Sequence, residues 1–187
     1  MPVATSPRAD DPPLIGTLSW LPAAGHPELL AEPVDTAVRD LGIDCYVAAI
    51  DPELADTAAF CAAYDVPLEL SANCVVVAGR RAEMSIMAGC MVLASDRADV
   101  NRVIRKHLDV RKISFASMAE AVAQTGMEYG GITPIGLPAG WPVLVDERVA
   151  ACGWIVIGSG IRGSKIALRP AELDKLPGVT TMALAQS

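Results

Sequence analysis

Aromatic residues are scarce, at 4% of the chain: three Trp, three Tyr and two Phe. Hydrophobic residues still make up 52%, so the core has to be built mostly from Ala, Val, Leu and Ile. Histidine is scarcer still. His26 precedes a proline in a loop, and His107 lies beside the apolar stripe of a basic helix. Neither has an evident partner, which weakens a reading as a His-centred hydrolase or metal enzyme. The five cysteines, Cys45, Cys61, Cys74, Cys90 and Cys152, are odd in number and include no CxxC pair. That argues against a zinc knuckle and against a secreted disulfide framework; small buried thiols are the plain reading. No apolar run approaches the roughly 18 residues that span a bilayer, and the longest, around Ala150 to Ile157, contains a glycine. P-loop, HExxH and GxSxG motifs are absent.

What is present is a chain of 187 residues and 19.5 kDa, long enough to bury a real core without disulfides or a metal. Residues 1–13 hold four prolines and no apolar stretch of signal-peptide length. They read as a flexible leader, with one domain expected over 14–187 and a cytoplasmic location. The net charge of -7 taken alone speaks against a nucleic-acid binder. Its distribution speaks differently. Residues 1–79 carry twelve acids and two basic residues, whereas Arg80 to Lys112 holds eight basic residues against four acids. Arg80, Arg81, Arg102, Arg105 and Lys106 are the candidate contacts to a phosphate backbone.

Periodicity predicts a helix over His26 to Leu41 stopped by Gly42, a strand over Ile43 to Ile50, and a helix capped by Asp51 that runs to about Tyr64. Cys74 to Ala78 and Met84 to Ala94 read as a hairpin around a turn at Gly79-Arg80-Arg81. Asp99 caps a helix to Leu108, Lys112 to Phe115 is a strand, and Ser117 with Glu120 forms a capping box. Trp141 to Val145, Trp154 to Ile157 and Lys165 to Leu168 read as strands, and Pro170 opens a last helix. Without a regular βαβ rhythm, the expected class is α+β (mixed α/β), with a largely antiparallel or mixed central sheet flanked by helices.

Two glycine-rich segments carry the chemistry. Gly130-Gly131 offers backbone N–H groups that no side chain blocks, followed by Thr133 and Pro134; Gly158-Ser159-Gly160 is a second such turn. Facing one cavity, the two could hold a carbonyl, carboxylate or phosphate.

Read in order, these segments resemble the YbaK/EbsC family, the prolyl-tRNA editing domain and its free-standing relatives. The likeness runs from about His26 to Gly178. It rests on Val66-Pro67-Leu68-Glu69, on the block from Thr125 to Gly136, on Leu144-Val145-Asp146, and on the run from Ile157 to Lys165. The resemblance implies hydrolysis of the ester of a mischarged aminoacyl-tRNA carrying a small amino acid of the Ala, Cys or Ser type. It implies no metal and no cofactor. The aminoacyl-tRNA acceptor end is the implied partner, a synthetase a second one, and neither membrane nor DNA is expected. Carried over residue by residue, it gives catalytic roles to Gly131 and Thr133. Substrate contacts then fall to Gly130, Ile132, Pro134, Ile135, Gly136, Asp146, Gly158, Ser159, Gly160, Arg162 and Lys165.

One position departs from the pattern. Asn73 stands where family members carry a lysine tied to binding and catalysis. Asn donates a hydrogen bond without charge; the loss of roughly 1–2 kcal/mol slows a reaction about five- to thirty-fold. Lys165 and Arg162 are the candidates to compensate, but the resemblance gives ordinary family members a lysine at the Lys165 position too, which makes it a routine feature rather than a rescue. Cys74, beside Asn73, has no base next to it and should hold little thiolate. The alternative function is a weak or inactive family member that binds aminoacyl-tRNA or a small ligand, and a third is a hydrolase for another ester or thioester.

Overall fold

The computed structural model describes residues 12–186; the leader expected at residues 1–13 lies almost wholly outside them. Among the described residues nine strands form two sheets, which with the helices make the expected α+β fold with mixed and antiparallel pairing. β1 (Leu21–Pro22), β2 (Cys45–Ala49), β7 (Ile155–Gly158) and β8 (Ser164–Leu168) make a four-stranded antiparallel sheet in the order β1-β2-β8-β7. β3 (Ala72–Arg81), β4 (Met84–Leu93), β5 (Lys112–Phe115), β6 (Val143–Asp146) and β9 (Val179–Met182) make a mixed five-stranded sheet in the order β5-β3-β4-β6-β9. The β4–β6 and β6–β9 pairs are parallel.

Alternation along the strands explains three cores. Ile166 and Leu168 of β8, with Met91 and Leu93 of β4, face a central core closed by Val34 and Val38 of α1 (Glu32–Leu41). The opposite face of the first sheet, including Tyr46, Val156 and Ala167, is covered by Phe60 and Cys61 of α2 (Thr57–Tyr64). The outer face of the second sheet, with Val77, Ala88 and Cys90, is covered by a wide π-type turn, Val100–Ile104, that runs into α3 (Arg105–His107). Phe60, fully buried, contributes about 1.5–3 kcal/mol of transfer free energy.

Tertiary bonds redraw several expected elements. The helix expected from His26 begins only at Glu32, because the Ala31 N–H donates across the fold to the Ser159 carbonyl at 3.1 Å. Pro27–Leu29 is left as one 3-10 turn. The helix expected from Asp51 is also split. The Asp51 carboxylate caps the 3-10 turn Pro52–Leu54, accepting from the Glu53 N–H, and α2 restarts at Thr57. The hairpin turn lies at Ala82-Glu83, two residues beyond the expected place, so β3 runs through Arg81. Ala82 there has φ 51°, a left-handed conformation that costs a non-glycine residue about 1–2 kcal/mol. The caps of Asp99 and Ser117 form as expected, the latter on α4 (Met118–Thr125). Among the described residues no helix is long and apolar enough to cross a membrane.

Candidate active site

A cavity of about 340 Å³ opens where six segments meet. Ala55, Asp56 and Thr57 come from the start of α2, and Ser71 to Val76 from the head of β3. Val156, Ile157 and Gly158 of β7 and Lys165 of β8 form the floor, while Phe115, Ala116, Ala121, Tyr129, Gly130 and Ile132 complete the wall. The volume lies at the small end of the range for ligand sites.

Lys165 is the one cation on this lining and Asp56 the one acid, among the described residues. Lys165 is 8% exposed. Its Nζ donates to the Ala55 carbonyl at 2.9 Å and stands 5.0 Å above the Phe60 ring. Ala55 supplies that carbonyl at the break between the 3-10 turn and α2, where the chain does not close an unbroken helix. Among the described residues no carboxylate forms an ion pair with Lys165, and burial lowers its pKa to about 8. Charge from Cys61 and Asp56 opposes that shift weakly.

Asn73 also lines the cavity, and its Oδ1 accepts from the Thr57 hydroxyl at 2.7 Å. Its amide nitrogen has no partner among the described residues and is the neutral donor there. Cys74 lies next to it on the lining, and burial pushes its thiol well above the usual range. That matches the expectation of little thiolate.

The glycine segments act differently from the expectation of two amide turns aimed at one cavity. They are pressed against each other. A Cβ on Gly158 would come 2.3 Å from the Gly131 carbonyl oxygen, and one on Gly131 would come 2.6 Å from the Ile161 backbone. The Gly131 N–H, expected to polarise a substrate carbonyl, donates to the Glu128 carbonyl at 2.9 Å, and the Gly160 N–H donates to Gly131 at 2.7 Å. Those amides are spent on the loop itself. Gly130, Ile132 and Gly158 reach the cavity, and the Gly130 N–H has no partner among the described residues. The run from Gly158 to Gly163 has GxGxxG spacing, yet it leads into β8 rather than a helix, so it lacks the dipole of a dinucleotide site.

The remaining expected contacts lie elsewhere. Thr133 is fully buried off the cavity, and its hydroxyl has no partner among the described residues. Ile135 is core; Pro134 and Gly136 border a separate void of about 80 Å³. The Ser159 hydroxyl is 2.7 Å from that of Ser164 inside the fold. Asp146 is buried as a brace. One oxygen caps α5 (Glu147–Ala150) through the Arg148 N–H, and the other accepts the Leu184 and Ala185 N–H groups. Arg162 is a strap beside the cavity: its guanidinium donates to the Pro52 and Tyr129 carbonyls, and its N–H donates to Glu128 at 2.6 Å.

The sequence profile of the aminoacyl-tRNA editing domain matches residues 51–176. This span contains every segment of the cavity. The chain belongs to the aminoacyl-tRNA editing domain family. No curated protein sequence matches it. Among solved structures, hypothetical protein APE2540 superposes with a TM-score of 0.73 at 17% identity, over 83% of this chain and all of that one. A candidate trans-editing enzyme for prolyl tRNA synthetase superposes with 0.71 at 18% identity, over 84% of this chain and 97% of that one. At such identities the likeness establishes the shared mixed α+β fold.

Within this editing domain, Ala55, Asp56, Thr57, Phe115 and Tyr129 are cavity residues that the sequence reading did not single out. Tyr129, directly before Gly130-Gly131, was the accessible signal. Of the five basic candidates, Arg81 is paired with Asp109, and Arg102 stands 3.9 Å from Asp99. Arg80, Arg105 and Lys106 have no ion-pair partner among the described residues.

Proposed function

We propose that this editing domain is a trans-acting deacylase that hydrolyses the ester of a tRNA charged with a small amino acid. The observation that carries this reading is Lys165. An ammonium group without a carboxylate partner is held in a small cavity, where its charge is worth more than in water. One of its three protons goes to Ala55, leaving two for the substrate.

Hydrolysis adds one water across the ester. Its hydroxyl goes to the acyl carbon, the bond from that carbon to the ribose oxygen breaks, and the proton ends on the ribose oxygen. Negative charge develops on the carbonyl oxygen on the way. Lys165 faces that charge, with the Gly130 N–H and the Asn73 amide as neutral donors. The Asp56 carboxylate at the rim meets the α-ammonium of the amino acid. The cavity of about 340 Å³, at the small end for ligand sites, supports a small side chain. A larger residue is excluded by overlap, whereas one methylene is discriminated by about 1–3 kcal/mol.

The test is a deacylation panel with Ala-, Ser-, Cys-, Thr- and Pro-charged tRNAs. Release of a small amino acid above the spontaneous rate, lost in Lys165→Met, is the expected result. If all five esters survive, the protein binds without turnover and the deacylase reading fails.

A further inference from the structure

The cavity does not end at its rim. On β3, Cys74 and Val76 line it, and two and four residues further on the same strand face, Ala78 and Arg80 line a second, open trough of about 760 Å³. The register continues this face onto the edge strand: Ala78 is opposite Ser114 and Arg80 opposite Lys112. Ser114 and Lys112 both line the trough; Phe115, opposite Val77 and so on the other face of the edge strand, lines the cavity at the strand's end. α4 spans the same junction, with Glu120 on the trough and Ala121 on the cavity. At about 3.3 Å per residue, the track from Phe115 to Lys112 is roughly 10 Å long.

Its charge is one-sided. Arg80, Arg105, Arg111 and Lys112 line the trough, and none has an ion-pair partner among the described residues; Glu120 is the single acid. In a protein of net charge -7, four uncompensated cations on one track are a concentrated positive field. At the junction with the cavity stand two exposed aromatic rings, Phe115 at 61% and Tyr129 at 52% exposure. Only eight residues of this chain are aromatic. A row of cations that ends in exposed rings suits a single nucleic-acid strand, whose phosphates take the charge and whose bases stack. An acidic peptide would use the cations and leave the rings unused.

Resting on the deacylase reading, we propose that the trough seats the phosphodiester backbone of the RNA strand whose aminoacyl 3′ end enters the cavity. Phe115 and Tyr129 then stack the last bases at the junction.

The probe is a fluorescein-labelled, uncharged acceptor minihelix with a single-stranded 3′ end, titrated by anisotropy across salt concentrations. In Arg80→Gln/Arg105→Gln/Lys112→Gln, Kd weakens by roughly tenfold or more, and the slope of log K against log salt shrinks by about two, near 0.7 per lost phosphate contact. The single Lys112→Gln shrinks the slope by about 0.7 and guards against misfolding of the triple variant. Phe115→Ala weakens binding about five- to 150-fold with an unchanged slope. Arg39→Gln, which removes a charge from α1 and lines neither cavity, leaves Kd unchanged. The proposal is overturned if the triple and single variants keep the wild-type Kd and slope, or if an acidic peptide of equal charge binds as tightly as the RNA. Hydrolysis of charged tRNA by the wild type tests the other reading separately. Trough-dependent RNA binding without hydrolysis keeps this proposal and removes the deacylase; hydrolysis with trough-independent binding does the reverse.

Discussion

Lys165→Met separates two consequences of keeping an ammonium group in the cavity. Methionine keeps most of the stem while removing the charge and its contact with the Phe60 ring. Burial lowers the Lys165 pKa to about 8, and the displacement corresponds to about 3 kcal/mol. The folded state binds this proton less tightly than the unfolded chain. The penalty is therefore complete below about pH 8 and is relieved as pH rises toward the ordinary lysine value near 10.4. The substitution also strands the Ala55 carbonyl, at about 1–3 kcal/mol. Near pH 7 the two effects leave the variant more stable by about 1 kcal/mol, or a Tm higher by about 2–4 °C in a chain of this size. Near pH 10 only the stranded carbonyl remains and the variant is the less stable one. The assay is urea denaturation of both proteins at both pH values. The expected difference swings by about 2–3 kcal/mol, and the cysteine thiols cancel because both proteins carry them. Deacylation falls about 10²- to 10³-fold, as for loss of an oxyanion donor. In the wild type, catalysed turnover declines above about pH 8 once spontaneous hydrolysis is subtracted. A stability difference that ignores pH, or a variant within threefold of wild-type activity, refutes the reasoning.

Asn73→Lys places a second ammonium in the same cavity. It lowers activity when Lys165 is present and restores at least part of it when combined with Lys165→Met, as initial rates on one charged tRNA will show. Thr133→Val removes a buried hydroxyl without a partner. It raises stability by about 1 kcal/mol and leaves turnover within twofold, measured by melting and deacylation. Gly158→Ala drives a Cβ to 2.3 Å from the Gly131 carbonyl oxygen. It costs about 1–3 kcal/mol or more and displaces the cavity wall, so both the melting temperature and activity drop.

Local signals were readable in the sequence because their causes are local. Ser117 with Glu120, Asp99 with Arg102, and the apolar runs of β3 and β4 form as their spacing indicates. β1 has two residues, and β9 is a short half-exposed edge strand; neither carries enough periodicity to be seen. The splits before Glu32 and Thr57 depend on partners more than a hundred residues away, Ser159 and Lys165. The same limit governs the site. Gly130, Ile132, Gly158, Asn73 and Lys165 do meet at one cavity. Asp146 and Ser159 are equally polar, yet their oxygens are engaged inside the fold. Residue type says that a group can bond, and only the tertiary arrangement says to what.

The cavity has two walls of unequal freedom to change. Where Gly158 meets the Gly131 carbonyl, main chain touches main chain, and any side chain there collides with backbone. Elsewhere on the lining the partly exposed Ala116 can grow by a methyl or an isopropyl group, whereas Ala55, Ala72 and Ala121 are themselves packed in the fold. Divergence in substrate range within such a scaffold therefore proceeds through the Ala116 side. Homologues acting on different amino acids would differ there while the glycine side stays constant.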